Sequence, residues 1–124
     1  MSADTQALGL EGERYAERWL VARGWRVLAR RFRSGHRDLD LVVERSGTVA
    51  FVEVKARRSR RWGHPVEAVG WRKQRELVRS ARVWIARFGG AGEVYRFDVI
   101  GVLIDGGRVH VRHVENAFAL PRTS

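Results

Sequence analysis

DLDLVVERSGTVAFVEVK, residues 38–55, is the stretch whose reading decides the fold. DLDLVV alternates acid and aliphatic at period two, and VAFVEVK reads as the next strand. Between them Ser46-Gly47 makes a two-residue hairpin turn, with glycine where a positive φ is wanted. That turn sets Arg45 against Thr48, which brings Asp40 opposite Glu53 and Asp38 opposite Lys55. Side chains two apart share a face of a strand, so all four groups fall on one face, at the end of the hairpin far from its turn. Two carboxylates directly across a ladder repel, and leaving either charge buried without a partner costs several kcal/mol. A bound divalent cation is the simplest way to make the arrangement favourable, and oxygen ligands suit Mg²⁺ or Mn²⁺. Lys55 would then stand beside the metal, where it could orient an attacking water or stabilise charge on a phosphate. A plainer reading of the same residues is a sheet edge whose Glu53 and Lys55 reach solvent or pair with other charges.

Outward from the hairpin, WRVLARRF at 25–32 reads as a strand and SGHR as a turn. Residues 7–23 place Leu8, Tyr15, Ala16, Trp19 and Leu20 at helical spacing, with Gly24 closing the helix. After Lys55 comes ARRSRRWGHP, a basic loop broken by Gly63 and Pro65. Residues 66–88 are largely helical, with Leu77, Ala81, Trp84, Ile85 and Phe88 on one face, and Gly89-Gly90 stop them. VYRFDVIGVLI at 94–104 is a strand, Asp105-Gly106-Gly107 a turn, and RVHVRHV at 108–114 the last strand. The order is α-β-β-β-α-β-β, with no repeat and no linker. That predicts one α/β domain over residues 1–120 and a loose tail at 121–124.

The 124 residues are 44% hydrophobic with five tryptophans, enough for a real core. There is no cysteine, which excludes disulfides and thiolate zinc sites. The N-terminal sequence lacks the pattern of a signal peptide, and no apolar run approaches a membrane span, so a cytoplasmic protein without membrane contact is expected. The net charge is +10, with 24 basic residues against 14 acidic ones. That excess predicts a polyanionic partner, nucleic acid first. An arginine-favouring genome explains why only Lys55 and Lys73 of the basic residues are lysines, but not why bases outnumber acids. A lysine kept in such a chain marks a place where a compact ammonium is useful.

Several residues read as structural. Gly9 and Gly12 suit close helix packing, because no G-x-G-x-x-G pattern surrounds them. His110 and His113, three apart on a strand, face opposite sides and form no metal pair. Asp98, in an apolar strand, reads as a buried structural partner. Trp62 in the basic loop either stacks on a base or packs under the loop. Lys73 and Gln74 begin the long helix near the carboxylates, where a contact to substrate competes with an ordinary solvated face.

Taken together, GLEGERYAERWL (9–20), DLDLVV, FVEVKARRS, GHPVEAV, KQREL, RFDVIGV and HVENAF resemble the YraN-like bacterial proteins. These are assigned to the PD-(D/E)XK, or restriction-endonuclease-like, superfamily. The resemblance runs through almost the whole chain. It implies an αβββαβ core with a mixed central sheet flanked by helices, which agrees with the order above. It also implies roles: Asp40 and Glu53 as metal-binding acids, Lys55 as the catalytic lysine, and Glu13 completing the metal site as in archaeal Holliday-junction resolvases, with Arg14 following it. This chain departs from the family's G-E-I-D-L-I, having Arg37 for the glycine and Asp38 for the glutamate. Asp38 keeps the charge with a shorter reach.

The function expected from these signals is metal-dependent hydrolysis of phosphodiester bonds in DNA rather than RNA, with branched or damaged DNA as a substrate the resolvase likeness suggests. Arg57, Arg58, Arg60 and Arg61 would grip the backbone, with Arg14, Lys73 and Gln74 beside them. A homodimer is what a junction resolvase would require. The alternative is a non-catalytic nucleic-acid-binding or complex-forming module on the same fold. Carboxylates in a nucleic-acid groove favour the enzyme, since without a metal they weaken binding.

Overall fold

A computed structural model describes residues 3–35, 37–58 and 69–120. Helix α1 (Ala3–Ala22) leads into strands β1 (Arg26–Phe32), β2 (Leu39–Arg45) and β3 (Thr48–Arg57), then helix α2 (Trp71–Phe88) and strands β4 (Val94–Asp105) and β5 (Arg108–Phe118). The five strands lie in sequence order in one sheet. β3 and β4 are parallel, joined through α2, and the other neighbours are antiparallel. The expected order and the mixed sheet are both present.

Local chemistry explains the element ends. At the β2–β3 turn, Ser46 and Gly47 take φ of 51° and 82°, the positive pair of a type I′ turn, so the register follows as read: Arg45 pairs with Thr48 and Leu41 with Val52. α1 closes on Gly24 at φ 89°. There the amides of Gly24 and Trp25 donate to the carbonyls of Val21 and Leu20 at 3.1 Å each, a Schellman motif that satisfies the last carbonyls. α2 begins at Trp71 rather than 66. Val69 and Gly70 are non-helical, with Gly70 extended at φ −68°, ψ 166°, and residues 66–68, like the tail 121–124, lie outside the described residues. β5 runs on to Phe118 instead of ending at 114.

The sheet has an apolar layer on each face. Leu77, Val78, Ala81 and Trp84 of α2 pack on Val42, Val49, Phe51, Phe97 and Val99, where the Phe51 ring meets Trp84 edge-on at 5.7 Å. Ala16 and Leu20 of α1 pack on Leu41, Val43, Ala50, Val52, Ile100 and Val102. Each large side chain buried this way stabilises the fold by about 1.5–3 kcal/mol. Alternation along β2 and β3 therefore turns Asp40 and Glu53 toward the α2 side. Gly12 lets α1 lie flat on β3, since a β-carbon there would overlap that of Ala56. Gly9 faces open space and has no such packing role. No helix among the described residues is long and apolar enough to cross a membrane.

Candidate metal and phosphate site

The end of the β2–β3 hairpin carries the site. The backbone ladder stops at Leu41–Val52. Beyond it the Asp40 carboxylate accepts the Val54 amide at 2.8 Å, taking a donor the ladder would otherwise use. Asp38 precedes β2, and the expected pairing of Asp38 with Lys55 does not form. Asp38 is half-exposed and 3.5 Å from Arg33 Nε.

Asp40 and Glu53 do come together. Glu53 is buried, and Asp40 lies close enough to hydrogen-bond it. Burial first, then the hydrogen bond and charge of Glu53, then the charge of Glu13, push the Asp40 carboxyl up to about 9, against the pull of the Val54 amide. Two adjacent carboxylates out of water cannot both ionise cheaply, so they hold a proton or a cation between them. The cation in contact with Glu53 is Lys73: its Nζ is 2.6 Å from Glu53 Oε2, with the Glu53 side chain 8% exposed and that of Lys73 26%.

These groups open onto a groove of about 700 Å³, lined also by Asp38, Lys55, Glu76 and Arg79. Lys55 is exposed, two residues beyond Glu53. The segment before β2 forms part of the wall and is tied to α2. Arg37 donates to Glu76 at 2.7 Å, Ser34 Oγ donates to Ser80 Oγ at 3.0 Å, and Ser80 Oγ donates to the Arg37 carbonyl. Both lysines of the chain thus line one groove with Asp40 and the buried Glu53.

Glu13 sits apart. α1 packs on the opposite face of the sheet, and Arg31 Nε and Nη2 donate to both Glu13 carboxylate oxygens at 3.0 and 3.2 Å. Arg31 adopts φ 49°, uncommon for a residue with a β-carbon. Glu13 and Arg14 line another groove, between α1 and β1, beside the Glu17–Arg30 pair. Only the charge of Glu13 reaches Asp40. Among the described residues no three acid, histidine or cysteine side chains gather as metal ligands. The donor set nevertheless fits a hard divalent ion. Two carboxylates line the groove side by side, and an ammonium answers part of their demand for positive charge.

The basic residues divide. Arg58 is exposed and 3.7 Å from Glu11; Arg57 is partly buried at the end of β3; Arg60 and Arg61, with Trp62, lie outside the described residues. Gln74 donates its amide to the Val69 carbonyl at 3.0 Å, fastening the start of α2. Sequence reading missed Glu76, Ser80 and Arg79. Glu76 and Ser80 stand three and seven residues after Lys73 on the helix, a spacing that would have placed them beside it.

Asp98 is fully buried, away from the groove. Arg96 donates to both its oxygens at 2.9 and 3.0 Å, the Asn116 amide donates at 3.0 Å, and His113 Nε2 is 2.7 Å away. It sits where the β4–β5 register shifts, as the structural partner expected of it.

The description "Uncharacterised protein family UPF0102" matches residues 12–102. A UPF0102 protein of Symbiobacterium thermophilum is 44% identical over 117 residues, covering 92% of this chain and 98% of the relative. One of Trichlorobacter lovleyi is 44% identical over 117 residues, 93% and 92% of the two chains. One of Myxococcus xanthus is 40% identical over 116 residues, 94% and 92%. The matched span includes Glu13, Asp40, Glu53, Lys55 and Lys73.

Proposed function

We propose, from the premise that the chain belongs to the UPF0102 family of YraN-like bacterial proteins, that it is a metal-dependent nuclease hydrolysing phosphodiester bonds in DNA. The observation that carries this reading is the meeting of Asp40, Glu53, Lys55 and Lys73 in one solvent-open groove. Buried acids repel each other and repel phosphate, so a groove built around two of them makes sense when a cation joins them.

Asp40 and Glu53 would hold Mg²⁺ or Mn²⁺. Bound there, the ion would polarise a phosphate and make a water more acidic. The chain's own groups do the rest. Lys55, exposed in the groove, offers an ammonium to the charge that grows on a phosphate. Lys73 neutralises Glu53. Glu13, engaged by Arg31, acts through its charge on Asp40. Arg57 and Arg58 continue β3 toward the phosphate backbone, with Arg60 and Arg61 next in sequence.

One observation favours a second reading. Lys73 already balances Glu53 without any metal, so the same groove could persist in a module that binds nucleic acid and does not cut it. The deciding experiment is a cleavage assay on duplex, single-stranded, flap and four-way DNA with Mg²⁺, Mn²⁺ or chelator. Metal-dependent cleavage of any of these supports the enzyme. Binding with no cleavage under all conditions supports the module.

A further inference from the structure

The exposed side of α2 carries a second feature. Its buried residues, Leu77, Val78, Ser80, Ala81 and Trp84, leave Trp71, Arg75, Arg79 and Arg82 on the outer surface. Trp71 is 64% exposed. That is unusual for the side chain with the most apolar area to hide. The guanidinium of Arg75 lies 5.2 Å from the centre of its ring. Trp71, Arg75, Arg79 and Arg82 line a groove of about 410 Å³ with Val78 and Ala119. Arg79 also lines the carboxylate groove, so one side chain borders both. From Trp71 to Arg82 the helix rises about 16 Å. Among the described residues no carboxylate forms an ion pair with Arg75 or Arg79, and the one acid of α2, Glu76, is taken by Arg37.

We infer that this face of α2 binds an unpaired stretch of nucleic acid, with a base stacked on Trp71 and neighbouring phosphates on Arg75 and Arg79. An exposed indole beside a cation is a stacking platform for any base, provided that base is out of a duplex stack. The arginines supply the sequence-independent grip. A second copy of this chain is a poorer occupant. Two-fold pairing through this face would set the same arginines against each other. The inference deepens the nuclease reading by naming the form of strand its groove receives, and it rests on that reading only for the strand's path toward Lys55.

The test measures binding alone, in chelator, so its failure is separate from failure to cleave. Tryptophan fluorescence of the intact protein is titrated with an oligothymidylate DNA, a single-stranded RNA of equal length and a blunt DNA duplex. Single strands should bind more tightly than duplex and quench the emission. Trp71→Ala should remove most of that quenching and weaken single-strand binding roughly tenfold, while Trp71→Phe keeps most of the affinity. Arg75→Ala and Arg79→Ala should each weaken binding and lower the log–log salt slope by about 0.7. Preference for the DNA or the RNA strand identifies the sugar and upholds the inference either way. Unchanged single-strand affinity in Trp71→Ala overturns it, as does equal weakening toward duplex and single strand. A parent dimer that Trp71→Ala converts to monomer, with strand affinity unaltered, assigns the face to a second copy and also overturns it.

Discussion

Lys73 Nζ lies 2.6 Å from Glu53 Oε2, joining the first turn of α2 to the middle of β3. The ammonium is the positive charge in contact with a carboxylate pair in which Asp40 already sits far above the usual carboxylate range, through burial and the neighbouring Glu53. Lys73→Met keeps the length of the side chain and removes the charge. Glu53 would then be buried beside Asp40 without a counter-ion. Losing a partner from a fully buried pair costs 3–5 kcal/mol, but Lys73 is partly solvated, so about 2 kcal/mol is expected at pH 7. Urea unfolding of parent and variant measures it. Addition of Mg²⁺ should restore more stability to Lys73→Met than it adds to the parent, because the variant has the larger unmet demand for positive charge. Equal stability of the two proteins would mean that the ion pair contributes nothing.

Gly12 and Gly9, one turn apart on α1, should respond in opposite directions to the same substitution. A β-carbon at Gly12 overlaps that of Ala56, while at Gly9 it meets nothing within 4 Å. Gly12→Ala should cost about 1–3 kcal/mol as the helix is forced off β3. Gly9→Ala should add about 0.5–1 kcal/mol, the ordinary gain of alanine over glycine inside a helix. Thermal melts of the two variants, run side by side, decide it.

The hairpin was legible because its information is local. Ser46-Gly47 dictates the turn, the turn dictates the register, and the register carries Asp40 to Glu53. The Schellman close at Gly24 is local in the same way. What the sequence hid depends on how elements cross. Lys73 is 20 residues from Glu53, and their contact follows from the placement of α2 over β3. Glu13, expected beside the acids, acts on Asp40 through its charge and lines a groove with Lys55, while its carboxylate is held by Arg31, whose positive φ no propensity rule announces. The ladder's early end, with Asp40 taking the Val54 amide, undid the pairing of Asp38 with Lys55. A long-range charge contact leaves no periodic trace in a chain with this much arginine.

Asp98 supplies the pH dependence. Burial alone would raise its carboxyl, but hydrogen bonds from His113, the Asn116 amide and Arg96 outweigh that and hold it below the ordinary value. The unfolded chain takes up this proton near pH 4, about where a free aspartate does. Above that pH both states are ionised, and the full stabilisation is present. As pH falls below 4 and through the native value, the unfolded state binds the proton first and the stabilisation is lost. Asp98→Asn should therefore cost about 3 kcal/mol at pH 7, where Arg96 and the buried His113 lose their acceptor charge. The gap between variant and parent should narrow below pH 4. Urea midpoints at pH 3, 5 and 7 test this, and a gap that widens in acid would contradict it.

Glu53→Gln and Lys55→Ala separate the enzyme from the module. Glu53→Gln keeps the side chain's size and removes a metal-binding charge, so cleavage should fall by orders of magnitude. Without metal, its DNA binding should hold or tighten, because one carboxylate leaves the groove and Lys73 is released from its partner to meet phosphate. Two opposing terms set its stability: Asp40 is freed from holding a proton against the charge of Glu53, and the Lys73 ion pair is lost. The melting temperature in chelator should then move little, while the rise that Mg²⁺ gives the parent should largely vanish. Lys55 is exposed and no hydrogen bond or ion pair holds it among the described residues, so Lys55→Ala should fold as the parent does. It should keep the Mg²⁺-induced rise, lose cleavage, and bind DNA somewhat more weakly for want of one cation. Parent-like cleavage in both variants would assign the activity to another site. Tight binding by a parent that cuts nothing would give the groove to the module, with Lys73 as the permanent counter-ion of Glu53.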